Sequence, residues 1–115
     1  MELSIRGRGV NLTDETRDLA ARRIQLALDT FKDRVEAVSV YLIDLNGPRR
    51  GIDKLCQIAV RAHGIGDLVI VERGLTLAGA LNRAAARMKY RIAEDIRRAV
   101  RPTNLESIRT VAPVS

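Results

Sequence analysis

The sequence predicts an α+β fold: a two-layer sandwich in the order β-α-β-β-β-α, with a mostly antiparallel four-stranded sheet and two helices on one face. Two observations lead to this prediction. Apolar residues alternate with period two in three short stretches and form a β-branched run in a fourth, and they recur at three- and four-residue steps in two longer stretches. With 115 residues, of which 46% are hydrophobic and 30% charged, the chain is sized for one domain with an ordinary core.

The first two elements are a strand and a helix. Leu3 and Ile5 alternate with polar residues, which predicts a strand over 2–6 that ends at two glycines. Thr13 is the predicted helix N-cap, because two acidic residues follow it where the helix dipole favours them. The helix is expected to run to about Lys32. Its predicted apolar stripe is Leu12, Leu19, Ile24, Ala27, Leu28 and Phe31.

Three further strands follow, predicted over 36–45, 56–62 and 68–72 from their alternation and β-branched content. Because short turns join them, they are expected to form an antiparallel meander. The turn-rich segment 46–51 between the first two is predicted to be a mobile basic loop. Its bases are Arg49 and Arg50.

The last element is a second amphipathic helix, capped by Thr76 and expected to stop near Val100 because Pro102 follows. We therefore predict one domain over 1–101 and a short flexible tail over 102–115. The apolar stripe of this helix is Leu77, Leu81, Ala84, Ala85, Met88, Ile92 and Ile96.

The net charge of +6 is concentrated on that last helix. Residues 1–31 and 102–115 are each neutral and 32–75 carry +1, whereas 76–101 carry +5. Most of the bases are arginines, whose guanidinium groups can donate two parallel hydrogen bonds to phosphate oxygens. Composition alone leaves two explanations open, a nucleic-acid partner or the codon bias of a GC-rich genome, so position has to decide.

Arginines lie in a line along the last helix, with Arg83, Arg87 and Arg91 four residues apart and Arg98 further along the same side. Like charges at this spacing repel one another, so the line predicts an anion bound across it, the alternative being a merely solvated face. The two helices are expected to lie side by side. Bases on the first helix would then widen the basic surface, namely Arg17, Arg22 and Arg23.

Aromatic residues are scarce, which argues against a surface that stacks single-stranded bases and favours contacts to RNA backbone and shape. Catalytic groups are scarce as well. His63 is predicted to lie in a turn, and Cys56 is predicted to face the core from its strand. One histidine and one cysteine are too few ligands for a usual zinc site. Gly7-x-Gly9 lacks a third glycine, and we expect no parallel βαβ unit around it. We therefore predict no enzyme activity, metal, cofactor or small-molecule substrate.

No apolar stretch is long enough to span a membrane, and the N-terminus has no signal-type segment. With a single cysteine, a reducing cytoplasmic setting is the simplest expectation.

Short motifs run in register from Met1 to about Arg98. They include Gly7-Arg8 after the first strand, Leu12-Thr13-Asp14 before the first helix, and a Gly-x-Gly-Asp-Leu turn at 64–68. Further matching positions are Arg17, Arg23, Phe31, Gly74, Leu77, Ala80, Leu81, Asn82 and Arg87. Together they resemble the ribosome hibernation promoting factor family, also known as ribosome-associated inhibitors or sigma-54 modulation proteins. The length corresponds to a short form without a dimerisation domain.

The resemblance implies a domain that binds ribosomal RNA in the decoding channel of the small ribosomal subunit and blocks messenger and transfer RNA sites during stationary phase or stress. It implies RNA contacts at four positions where the family tends to carry a base. These are Arg8, Arg17, Arg23 and Arg87. The chain departs from the family at Thr76 and Ala78, where the family has an acid and a tyrosine, and at Tyr90 and Glu94, where it has bases.

The leading hypothesis is thus a translation inhibitor that occludes the ribosome, and the sequence leaves open whether ribosome dimers or inactive single ribosomes result. The RNA-binding candidates are Arg8, Arg17, Arg22, Arg23, Arg83, Arg87, Arg91 and Arg98. The alternative is a general double-stranded RNA-binding module acting away from the ribosome. A third hypothesis is a protein–protein module that uses an exposed sheet face containing Tyr41, Val69 and Val71.

Overall fold

A computed structural model describes residues 1–45 and 54–111 of the chain, with side chains as far as Ala99. The elements are β1 (Glu2–Arg8), α1 (Asp14–Leu28) with a 3₁₀ turn (Asp29–Phe31), β2 (Val35–Asp44), β3 (Lys54–Ala62), β4 (Gly66–Gly74) and α2 (Leu77–Val111). The predicted α+β order and the mostly antiparallel sheet are confirmed. The predicted basic loop with Arg49 and Arg50 lies outside the described residues.

The sheet has the order β1-β2-β3-β4, and its last three strands form the expected antiparallel meander. β1 pairs with β2 in parallel, from Glu2 opposite Ala37 to Arg8 opposite Ile43. The expectation of no parallel βαβ unit was therefore wrong. A helix of fifteen residues carries the chain back along the sheet, so that the next strand runs in the same direction as β1.

A single core lies between one face of the sheet and the two helices. The inward residues of β2 and β3 follow the predicted alternation, and the burial of β4 alternates as well. On α1 the prediction needs one correction, because Leu19 is 37% exposed and the neighbouring Ala20 is fully buried. Ala20 belongs to the core cluster, where close packing makes the size of each side chain matter. The largest fully buried side chains are Ile24, Leu28, Leu42, Ile58, Ile70, Met88 and Ile92.

Both predicted helix caps are confirmed. The Thr13 hydroxyl oxygen accepts a hydrogen bond from the backbone N–H of Thr16 at 3.1 Å. The Thr76 hydroxyl oxygen accepts one from the backbone N–H of Gly79 at 2.9 Å. Each bond satisfies a backbone donor that the first turn of a helix otherwise leaves unpaired.

The predicted end of the last helix near Val100 was wrong, because α2 continues to Val111. Pro102 has no N–H to donate, which removes one hydrogen bond of the helical ladder, but the bonds on either side of it can continue the helix. The division into a domain over 1–101 and a flexible tail over 102–115 remains a prediction.

Candidate nucleic-acid interface

The arginine line lies on the flank of α2 that faces β4. α2 packs over β3 and β4 and beside α1, so its inner face belongs to the core. On the flank towards β4 three arginines follow one another at four-residue steps. The side chains of Arg83, Arg87 and Arg91 are 67%, 55% and 46% exposed. The rigid core beneath α2 therefore holds this row of cations at the surface.

The N-terminal half of the line, Arg83 and Arg87, has a counterion on the sheet, namely Glu72 of β4. The Arg87 Nη1 donates to the Glu72 Oε2, and the Arg83 Nε lies 3.8 Å from the Glu72 Oε1. Arg87 Nη1 also lies 3.4 Å from the backbone carbonyl oxygen of Val71. The Glu72 side chain is only 16% exposed, so the carboxylate lies beneath two guanidinium groups that reach further out.

The C-terminal half of the line, Arg91 and Arg98, has a second counterion, Asp95, which lies one turn after Arg91 on the same helix. The Arg91 Nε lies 3.6 Å from the Asp95 Oδ1, and the Arg98 Nη2 donates to the same oxygen. The repulsion expected along the line is therefore offset in part within the protein, and the anion bound across it stays a prediction. Two largely buried carboxylates, each 16% exposed, pair with four guanidinium groups. This leaves a surplus of positive charge on the outer side of the line.

The bases of α1 and β1 are arranged differently. Arg8, Arg22 and Arg23 are exposed, whereas the Arg17 Nη1 donates to the backbone carbonyl oxygen of Ile5 at 2.8 Å and so ties α1 to β1. Arg17 therefore has a structural contact in addition to any role in binding.

Arg23 and Lys89 line a groove of about 280 Å³ between α1 and α2, together with Asn82. The two helices lie side by side, as expected, and Arg23 lines the groove between them beside the arginine line. Ala86 separates this groove from the flank of Arg87, because a rotation of about 100° per residue places neighbouring positions on different sides of a helix. Lys89 and Asn82 are thus site candidates that charge counting along one stripe did not select.

A second groove, which we call the β4 groove, runs between α2 and the edge of β4. It has a volume of about 340 Å³ and is lined by Ile70, Ala86, Arg87, Tyr90 and Arg91. The Tyr90 side chain is largely solvent-exposed, with the residue at 67%. In the sequence, Tyr90 is notable only as a position at which the chain departs from the family pattern.

The open face of the sheet carries the side chains that define the protein–protein hypothesis. Val69 and Val71 are 55% and 46% exposed, and the guanidinium carbon of Arg6 lies 5.7 Å from the centre of the Tyr41 ring. A hollow of about 260 Å³ on this face is lined by residues of β2, β3 and β4, among them the small residues Ala37, Ser39 and Ala59.

The two candidate reactive side chains have ordinary structural environments. Cys56 is fully buried, and burial raises the pKa of its thiol to about 12, so the nucleophilic thiolate is disfavoured. His63 is exposed, with its Nδ1 3.5 Å from the Glu36 Oε2. In the described ranges, no three His, Cys, Asp or Glu side chains are placed to hold a metal ion. None of the helices described there is long and apolar enough to cross a membrane.

Comparison with solved structures places this fold beside a known domain. The chain is similar to the N-terminal domain of Protein Y from Thermus thermophilus, with a TM-score of 0.66 and 26% sequence identity over 80% of this chain and 96% of that one. This likeness supports the hibernation promoting factor family. A ribosomal subunit interface protein from Coxiella burnetii shares the fold, with a TM-score of 0.69 at 11% identity over 82% and 96% of the two chains. No family model and no curated protein sequence matches the chain.

Proposed function

We propose that this protein is a ribosome-associated translation inhibitor. It binds ribosomal RNA of the small subunit at the decoding channel and blocks messenger and transfer RNA sites during stationary phase or stress. It acts by occlusion, without catalysis, in the cytoplasm. The observation that carries the proposal is the arginine line on α2, and the likeness to Protein Y and to a ribosomal subunit interface protein supports the choice of partner.

The geometry of the line suits a phosphate backbone. Its carboxylates lie at the base of the line, with side chains about one-sixth exposed, while its guanidinium groups are about half exposed or more. A phosphate that approaches from solvent therefore meets cations first. Because each guanidinium is already oriented by a carboxylate, less side-chain freedom is lost when an anion binds.

We assign RNA contacts to the bases on the exposed helical surfaces and at the end of β1. The proposed contacts are Arg8, Arg17, Arg22, Arg23, Arg83, Arg87, Arg91 and Arg98. Lys89 joins this set through the groove that it shares with Arg23.

The test is sedimentation of purified ribosomes with the protein through sucrose gradients at two salt concentrations. The variant replaces Arg83, Arg87 and Arg91 with Gln, since Glu at these positions would oppose Glu72 and Asp95 and confuse loss of folding with loss of binding. We expect less of the variant in the ribosome fraction, and the slope of log K against log salt to flatten by about two to three units for the three contacts removed.

The matched control is Arg61→Gln, which removes an exposed arginine that pairs with Asp67 away from α2. It should sediment with ribosomes like the wild type. If the wild-type protein stays at the top of the gradient at low salt, the ribosome is not the partner.

The alternative function is a general double-stranded RNA-binding module. A basic helical surface with phosphate contacts also suits the shape of A-form RNA. Equal affinity for an unrelated RNA duplex and for ribosomes would favour this alternative over the proposed function.

A further inference from the structure

We propose that the β4 groove binds a single unstacked nucleotide, with the base against Tyr90 and the phosphate on Arg87 and Arg91. This inference deepens the proposed function and rests on it in taking the bound polyanion to be RNA. It adds that the RNA in contact with α2 includes at least one unpaired nucleotide. It also gives a role to Tyr90, one of the four positions at which the chain departs from the family pattern.

The groove combines an apolar floor with an aromatic wall. Ile70 and Ala86 line it from the sheet and the helix, and the exposed Tyr90 lines it as well. Its volume of about 340 Å³ falls at the small end of the range for organic ligands. A flat base can stack on a tyrosine ring whatever its sequence, since every base has an aromatic face.

The two arginines supply the charge that a nucleotide phosphate needs. Among the described residues, the recorded contacts of Arg87 use Nη1 and that of Arg91 uses Nε. Each planar guanidinium has further N–H donors, and together they can take phosphate oxygens in the bidentate geometry that arginine favours. The carboxylates of Glu72 and Asp95 hold both groups beside Tyr90.

An unpaired nucleotide fits this combination better than a duplex or an acidic peptide. A duplex presents phosphates to the arginines but keeps its bases stacked inside, so Tyr90 would gain no partner. An acidic peptide would satisfy the arginines and leave the aromatic wall unused. Only a ligand with both an anion and a flat aromatic group engages every side of the groove.

The test compares a single-stranded RNA oligonucleotide carrying 2-aminopurine with the same oligonucleotide in a duplex. Quenching of 2-aminopurine fluorescence reports stacking on Tyr90, and titration gives the affinity. We expect Tyr90→Ala to weaken single-strand binding about tenfold or more and to leave duplex binding unchanged. Tyr90→Phe, which keeps the ring, should bind like the wild type. Equal effects of Tyr90→Ala on the two RNAs, or no effect, would overturn the proposal.

Two further measurements separate the outcomes. Adenosine monophosphate alone tests the source of the nucleotide. Its binding assigns the groove to free nucleotides, binding of the strand only assigns it to RNA, and binding of neither refutes the inference. Ribosome sedimentation of the wild type tests the proposed function independently. A protein that sediments with ribosomes but binds single strands equally well after Tyr90→Ala retains its function and lacks the nucleotide site.

Discussion

Replacing Glu72 with Gln separates two consequences of the arginine line, namely fold stability and anion binding. Glu72 lies beneath Arg83 and Arg87, with one oxygen 3.8 Å from the Arg83 Nε and the other accepting a hydrogen bond from Arg87. As an internal anion, it stabilises the line in the free protein. It also competes with any phosphate that the same two arginines bind.

The expected magnitudes follow from these contacts. At 3.8 Å and an effective dielectric constant of about 20, one such pair has a gross attraction of about 4 kcal/mol. Both arginines are more than half exposed, and exposed pairs contribute only about 0.2–1 kcal/mol after solvation and side-chain entropy. Because Gln keeps the shape and one carbonyl oxygen, we expect the free energy of unfolding to fall by about 1 kcal/mol.

RNA affinity should change in the opposite direction. Removing one negative charge frees two guanidinium groups for phosphate. We expect this gain to exceed the loss of the orientation that Glu72 gives them, so the association constant should rise. The slope of log K against log salt should steepen by up to about one unit, the contribution of one additional neutralised phosphate.

The assay combines urea unfolding with RNA binding measured by fluorescence anisotropy over a range of salt. The control is Asp67→Asn on the same strand, which removes the same charge from an exposed pair with Arg61, 3.5 Å apart. It should change neither stability nor affinity by a comparable amount. If Glu72→Gln weakens RNA binding along with stability, Glu72 positions the arginines for RNA instead of competing with it.

Three other predictions follow from local structure. Thr13→Ala should lower the free energy of unfolding by about 1 kcal/mol in urea, because a first-turn N–H loses its acceptor; an unchanged midpoint would contradict the cap. Gly9→Ala should be more destabilising than Gly66→Ala. Both glycines have positive φ, but a Cβ at Gly9 would lie 2.7 Å from the Asp44 carbonyl oxygen, whereas nothing lies within 4 Å at Gly66; equal melting shifts would refute this. Cys56 in the folded protein should resist alkylation by iodoacetamide at pH 8; rapid alkylation would count against its burial. The free energy of unfolding should fall as the pH rises above about 9, because the thiol ionises there in the unfolded chain, whereas its pKa in the folded protein is about 12.

Local features of the fold could be predicted from the sequence because their causes are local. A threonine before acidic residues marks a helix start, and a period of two marks a half-buried strand whatever its partner. The direction of β1 depends on where α1 returns the chain, which no residue of β1 encodes. The length of α1 was the available indication, since a helix between two strands favours parallel pairing.

The counterion Glu72 was missed because it lies on a different element from the arginines. One indication was present in the sequence. Leu68, Ile70 and Glu72 share the inward phase of β4, and an acidic residue on that phase needs a cationic partner. The partners are Arg83 and Arg87, which lie nearly two helical turns or more into α2.

The parallel pairing of β1 also has a consequence for how the sheet assembles. β3 and β4 are joined by a tight turn, from Ala62 to Gly66. β1 and β2 pair, with Glu2 opposite Ala37, across a much longer connection that contains α1. Closing the longer loop costs more chain entropy, so the meander is expected to form first and β1 to join it last. The amide hydrogens of β1, which pairs on one side only, should accordingly exchange with solvent sooner than those of β3, which pairs on both.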